Sequence, residues 1–368
     1  MRYLNKHNNG RRRISWSRVA LLVLCAVLAL VLVVLILATI FAERWLGLIN
    51  REPDSTKSTL SSKDLEDLYG PDSTTNPDFN GETVNPGDIT WEPPPTETIF
   101  DGEEYVNIML VGQDRRWNET VSRSDAMVLL TFNKKTNAIY MTSFLRDTYV
   151  QIPGYPDNRM NAAYALGGMN LLEETLEVNF GVPVDGTVSV DFFRFPEIVD
   201  MLGGLDLTLT QEEADYLNRR GNWGLGPDVC DWTLTAGVNH MTGEQCLAYS
   251  RVRDLGTDVA RVNRQHNVLM AMLGKVKGLS LTEASGLLDQ FLPMVTTNMT
   301  NKQILTHVFS LFPMLADCDI RTQRIPEWGD YEPVRINGMA VLLPNLDAIR
   351  QQLIDTLAYD IYATASIN

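Results

Sequence analysis

"YVNIMLVGQD", residues 105–114, is an apolar run of strand length that stops at a glycine and two polar residues. A short apolar run closed by turn chemistry reads as a buried strand. Downstream, "DAMVLLTFN" (125–133) and "AIYMTSFLRD" (138–147) repeat the pattern, joined through "KKTN". Asn170 to Phe180 reads as a helix, with Leu171, Leu172, Leu176 and Val178 among its apolar positions. "GTVSVDF" (186–192) reads as a strand, "FRFPEIVDMLGG" (193–204) as a helix closed by glycines, and "LDLTLT" (205–210) as a strand. Strands alternating with helices predict a layered α/β fold. The segment 211–244 reads as a helix start followed by an irregular excursion. Helices follow near 259–277, 281–291 and 302–315, strands at 318–326 and 334–344, and a helix from Asn345 to Leu357. Composition does not break after residue 104, so 104–368 is expected to form one domain.

Outward from that block the chain changes character. Val19 to Ala42 carries no charge over 24 residues, long enough for a helix to cross a bilayer. Arg2, Lys6, Arg11, Arg12, Arg13 and Arg18 precede it without an acid, which places residues 1–18 in the cytoplasm. The run is longer than a signal-peptide core and no clear cleavage site follows it, so an uncleaved single transmembrane helix (19–42) is expected. Residues 43–103, with seven prolines between 51 and 100 and few large apolar side chains, read as an extracytoplasmic linker that spaces the domain from the membrane.

The chain's net charge is −15, and without its six N-terminal positives it is more acidic still. Such a surface argues against nucleic acid as a partner. Within it, "YSRVRDLGTDVARVNRQ" (249–265) gathers Arg251, Arg253, Arg261 and Arg264. In an extended segment Arg251 and Arg253 leave the same face. After Gly256, Thr257 or Asp258 can cap a helix on which Arg261, Arg264 and Gln265 share a face. A strand end and a helix N-terminus that aim arginines at one place suit phosphate oxygens. The alternative is a solvated face paired with acids. "VGQDRRWNETVSRSDAMVLL" (111–130) adds Asp114, Arg116, Arg123 and Asp125 at strand ends, and "SFLRDTYVQIP" (143–153) adds Arg146 and Asp147. Two carboxylates among arginines point to Mg²⁺ (or Mn²⁺) held against phosphate, or else to simple counter-charges.

The series VGQDRR, RSDAMVLL, FLRDTYVQIP, RMNAAYALGG, IVDMLGGLDL, GEQCLAYSRVR and DVARVNRQ, in that order over roughly 104–280, resembles the LytR-CpsA-Psr family of bacterial cell-envelope proteins. The resemblance implies a three-layer α/β/α sandwich with a central mixed sheet, preceded by the transmembrane helix. It implies binding of a polyprenyl-pyrophosphate lipid with a divalent metal, and transfer of its glycopolymer, such as teichoic acid or capsule, to a peptidoglycan hydroxyl at the bacterial membrane. Asp114 and Asp125 resemble the family's metal-binding aspartates. Arg123, Arg146, Arg251 and Arg253 resemble catalytic positions, and Arg261, Arg264 and Gln265 pyrophosphate-binding ones. Arg116 and Asn161 match pattern positions assigned here to the same pyrophosphate. Phe144 and Leu145 stand where the family commonly has a proline-containing step, and Cys246 where alanine is more usual. The rival readings are a (pyro)phosphatase on the same lipid and a non-enzymatic lipid-binding or regulatory protein. A disulfide is expected between two of Cys230, Cys246 and Cys318, with Cys246–Cys318 preferred.

Overall fold

The structure, a computed structural model, describes residues 46–52, 60–71, 81–96, 98–114, 123–191, 194–219, 232–252, 255, 258–277, 281–311, 314 and 318–365. Its strands are β1 (Asn50–Arg51), β2 (Tyr105–Asp114), β3 (Arg123–Asn133), β4 (Ala138–Phe144), β5 (Tyr149–Val150), β6 (Asn158–Arg159) and β7 (Gly186–Asp191). They continue as β8 (Leu205–Leu209), β9 (Gly237–Met241), β10 (Val295–Thr297), β11 (Asp319–Ile325), β12 (Tyr331–Ile336) and β13 (Met339–Pro344). The helices are α1 (Ser62–Tyr69), α2 (Met160–Phe180), α3 (Phe195–Met201), α4 (Gln211–Arg219) and α5 (Gly243–Ser250), then α6 (Asp258–Lys277), α7 (Leu281–Phe291), α8 (Asn301–Leu311) and α9 (Leu346–Ala365).

A seven-stranded sheet runs in the order β1-β10-β7-β2-β3-β4-β11. Pairs β1–β10, β7–β2 and β4–β11 are parallel, and pairs β10–β7, β2–β3 and β3–β4 antiparallel, so the central sheet is mixed as expected. Successive strand side chains point to opposite faces. Val106, Ile108, Val128, Leu130 and Phe132 pack on one face with Ile304 and Leu311 of α8 and Leu269 of α6. Met109, Val111, Met127 and Leu129 pack on the other with Leu172 and Leu176 of α2 and Ile349 and Leu353 of α9. Both faces are apolar because both are covered, which is why these strands read as continuous apolar runs.

Several expectations change. "LDLTLT" is a strand, but β8 pairs with β9 in a separate two-stranded sheet over its own core of Leu205, Leu207, Leu217 and Met241. The apolar stretch 334–344 belongs to a hairpin: Asn337 (φ 52) and Gly338 (φ 81) make the turn between β12 and β13, the two positive φ values that asparagine and glycine adopt most easily. The helix expected from 170 begins at Met160 and passes a kink at Gly167 and Gly168. Glu52 explains how it resumes, since its carboxylate accepts the amide of Met169 at 2.8 Å. A side chain at Gly168 (φ 68) would collide with that carboxylate.

The described parts of 43–103 are not a free spacer. Leu46 and Ile49 enter one core cluster, and Leu68, Ile99 and Phe100 the other. Val84, Ile89 and Trp91 cover the β12–β13 hairpin. Glu52 N donates to Thr297 O (3.1 Å), and Trp91 Nε1 donates to the Asp157 carboxylate (2.7 Å). The segment is poor in apolar residues on average, yet the domain supplies a surface for these side chains. Packing therefore does not stop at residue 104.

Among the described residues no helix is long and apolar enough to cross a membrane, and the run 19–42 lies outside them. Cys318 is disulfide-bonded, but Cys246 is a free, buried thiol, so the preferred Cys246–Cys318 pair is not formed. Cys246 sits inside the core under β8 and β9, on a different side of the molecule from Cys318 in the sheet core.

Candidate active site

Strands β2, β4, β7 and β11 run in one direction, so their carboxyl ends share a sheet edge, where β3 begins. Ligands gather at such edges. Asp114, the last residue of β2, is the register partner of Arg123, the first of β3. Gly112 pairs with Ala126 and Gln113 with Ser124, which leaves Asp125 as the extra residue of a β-bulge. Bulges recur beside active sites, where they re-aim the chain. Gln113 braces this end of β2: its amide donates to the Ser189 hydroxyl (2.7 Å) on β7 and to the Tyr164 hydroxyl on α2.

Arg146 stands on a tight turn after β4. The turn is held by main-chain groups: Thr148 N and Oγ1 donate to Leu145 O (3.2 and 2.8 Å), Leu145 N donates to Ile325 O (2.8 Å), and Leu342 N donates to Asp147 O (2.9 Å). Asn161 N, at the start of α2, donates to Arg146 O (3.2 Å). None of these bonds uses the Arg146 side chain. It makes a partly exposed ion pair with Asp147 at 3.5 Å. Leu145, where the expected proline-containing step is missing, is buried with Val262 and Leu342. That contact docks α6 beside the turn.

The docking closes a small cavity lined by Arg146, Arg261 and Gln265 together with Ser143, Phe144, Leu145, Val262 and β3 residues 126–128. Three of the sequence-expected residues thus meet at one place. On its wall Ser143 Oγ lies 2.7 Å from His266 Nε2. Sequence reading passed over this pair; the two residues are 123 positions apart, and neither carries a motif.

Arg264 does a different job from the one expected. Its Nε donates to Glu213 of α4 (2.7 Å), and its terminal nitrogens donate to Val252 O (3.2 Å) and Leu255 O (2.8 Å). It is buried; its two terminal nitrogens hold the α5–α6 connection and Nε ties α6 to α4. Glu213, missed in the sequence, is its partner; the only signal was an acid on an otherwise amphipathic helix. Arg251 is not at a strand end: it is the C-cap of α5, its amide donating to Leu247 O and Ala248 O (3.2 and 3.1 Å). Arg116 and Arg253 lie outside the described residues, as do the side chains of Asp114, Arg123 and Asp125. Asn161 is buried at the head of α2, next to the Arg146 turn.

The donor chemistry at the bulged edge suits a hard cation: two aspartates on neighbouring strands offer oxygen only. Among the described residues no group of three or more His, Cys, Asp and Glu is assembled.

The LytR_cpsA_psr family model matches residues 72–354, most of the chain. The chain belongs to the LytR-CpsA-Psr family. It is 32% identical over 260 residues to the polyisoprenyl-teichoic acid–peptidoglycan teichoic acid transferase TagT of Bacillus subtilis (strain 168), covering 69% of this chain and 78% of that one. A TagU transferase of Bacillus anthracis (strain A0248) is 30% identical over 262 residues, with the same coverage. Among solved structures, TagT bound to LIIa-WTA superposes with a TM-score of 0.55 at 25% identity, covering 76% of this chain and 97% of that one. TagT (YwtF) with bound octaprenyl pyrophosphate lipid superposes with a TM-score of 0.51 at 26% identity and the same coverage.

Proposed function

We propose that this LytR-CpsA-Psr protein transfers a glycopolymer from a polyprenyl-pyrophosphate carrier to a peptidoglycan hydroxyl, anchored in the bacterial membrane by 19–42 with its domain outside. The observation that carries the reading is the meeting of Arg146, Arg261 and Gln265 in one cavity at the carboxyl edge of the sheet. Arginines in a site partly withdrawn from water stabilise charge on phosphate oxygens far better than they would in solution. Arg146 and Arg261 would bind and orient the diphosphate, with Gln265 donating from its amide. Gln113, Asn161 and the Arg264–Glu213 pair fix the elements that carry them. The relatives named as teichoic acid transferases, and the relative holding an octaprenyl pyrophosphate lipid, support the same substrate class.

Asp114 and Asp125 would hold Mg²⁺ or Mn²⁺, which when bound would neutralise charge on the diphosphate oxygens. The test is incubation of the full-length chain in detergent with a synthetic polyprenyl-pyrophosphate oligosaccharide, peptidoglycan fragments and Mg²⁺, followed by mass analysis. Glycan-phosphate on peptidoglycan is the expected product. Free glycan phosphate alone would make the protein a hydrolase, and unchanged substrate with retained binding would make it a lipid-binding protein.

A further inference from the structure

The transfer reaction needs a group to take the acceptor's proton, and the cavity contains one that no motif announced. We propose that Ser143 and His266 form the proton relay of this site, Ser143 meeting the acceptor hydroxyl and His266 standing behind it as the positioning residue that holds the proton. The inference rests on the transfer reading above.

Position comes first. Ser143, the last residue but one of β4, stands on the sheet face that α6 covers, and it lines the same cavity as Arg146, Arg261 and Gln265. His266 follows Gln265 on α6, so it lies directly behind that lining. The Oγ–Nε2 separation of 2.7 Å is a full hydrogen bond between groups that are 4% and 9% exposed. A Ser–His pair deep in a core would need no further account. This one forms part of the wall of the cavity that Arg146, Arg261 and Gln265 also line.

The electrostatics agree with the geometry. Burial holds the His266 pKa below its ordinary value, so the ring is neutral near pH 7. A neutral imidazole keeps one ring nitrogen as an acceptor, and Ser143 donates to it when that nitrogen is Nε2. The charged groups around the pair are Arg146 from the β4 turn and Arg261 from α6, which line the cavity, Arg264 two residues before His266, and Arg324 of β11, the buried register partner of Ser143, which is ion-paired to Glu327 at 2.9 Å. Arg264 is neutralised by Glu213 of α4. No carboxylate lines the cavity among the described residues. Asp147, the other basic group near the turn, is ion-paired to Arg146 and outside that lining.

The step balances. As the acceptor oxygen bonds the phosphorus next to the glycan, its proton passes to Ser143 Oγ, and the Ser143 proton passes to His266 Nε2. The bond from that phosphorus to the bridging oxygen breaks, and polyprenyl phosphate leaves with the electron pair. The imidazolium then releases the proton to water. Ser143 ends as it began, with no covalent intermediate.

The experiment uses the full-length chain in detergent with the lipid-linked oligosaccharide and peptidoglycan fragment. For the wild type, kcat plotted against pH should show an acid limb below about 6.5. His266→Gln keeps a hydrogen-bonding partner for Ser143 but cannot hold a proton; kcat should fall about 100-fold, with the acid limb gone and lipid affinity within about twofold. Ser143→Ala should do the same without any change of charge. A wild-type profile flat from about pH 7 down to the pH at which the protein unfolds would overturn the relay whether or not either variant folds. So would a folded His266→Gln or Ser143→Ala enzyme with normal kcat and an intact limb. If the wild type binds the lipid but makes no transfer product, the transfer reading falls and takes the relay with it. Transfer without the limb removes the relay alone.

Discussion

Arg261 and Arg264 are one turn apart on α6, and both are buried, yet they belong to different parts of the molecule. Arg261 lines the cavity between the sheet edge and the helix. Arg264 faces the smaller β8–β9 unit, where Glu213 and two carbonyls take up its guanidinium. The sequence gives the two arginines equal standing. The difference teaches that a cationic stretch can divide its labour: one side chain lines the cavity and its neighbour locks the helix that presents it. The pair of regions also differs in what removal should do. Loss at the cavity should remove chemistry from an intact protein, whereas loss at the clamp should remove the protein.

The largest expected effect is on the cavity side. Arg146→Ala should lower transfer on the order of 10²–10³-fold, as for removal of a charge-stabilising donor. Its turn is held by main-chain bonds, so the melting temperature should hardly move. Normal transfer by this variant, read by mass analysis of product, would break the site assignment.

Next comes the metal. Asp114→Asn with Asp125→Asn should abolish metal-dependent turnover while pyrophosphate binding through the arginines partly survives, measured by calorimetry with and without Mg²⁺. Full activity in excess chelator would leave the two aspartates as counter-charges only.

The clamp should behave in the opposite way. Arg264→Ala leaves Glu213 buried and unpaired and should destabilise the fold by about 3–5 kcal/mol, visible in chemical denaturation. Replacing both partners, Arg264→Met with Glu213→Leu, should recover much of that loss, because a buried pair exchanged for apolar groups is often neutral. A stable but inactive Arg264→Ala would instead move Arg264 to the cavity side of the comparison.

A smaller, purely structural effect is expected at the far edge of the sheet. Glu173 accepts from Thr187 Oγ1 (2.5 Å) and Asn298 Nδ2 (2.7 Å), and burial raises its pKa above the ordinary 4.5. A raised folded-state pKa means the native state binds more protons than the unfolded one. Its stabilising contribution is therefore present below about pH 4.5 and is lost as pH rises through the folded value. Glu173→Gln should flatten that part of the stability-against-pH curve and leave the kinetics of transfer alone. The smallest effect is at Cys246, whose thiol is pushed up to about 12 by burial, with Asp200 adding to the shift. It should resist alkylation in the folded protein and react only after unfolding, as peptide mapping would show.

Much of the central sheet was legible because its strands are buried on both faces and so are apolar without interruption, as in "YVNIMLVGQD" and "DAMVLLTFN". The helix starts were less so. The sequence places the helix only from Asn170, since nothing local shows that Glu52, over a hundred residues earlier, supplies the acceptor that lets α2 resume after Gly167 and Gly168. Asn337–Gly338 was a hairpin signal that the apolar run around it concealed. In the site, Arg146, Arg261 and Gln265 were readable from strand-end and helix-face spacing, while the roles of Arg264 and Arg251 were not.

By itself the sequence determined the fold class, the family and the residue types at the site, because burial periodicity and motif order are local properties of the chain. Tertiary structure alone decided which arginine faces the cavity, that 46–52 and 81–100 pack onto the domain, that Cys246 stays a thiol and that Ser143 meets His266. Each of these depends on contacts between residues distant in sequence, and no local pattern records which partner a side chain will find.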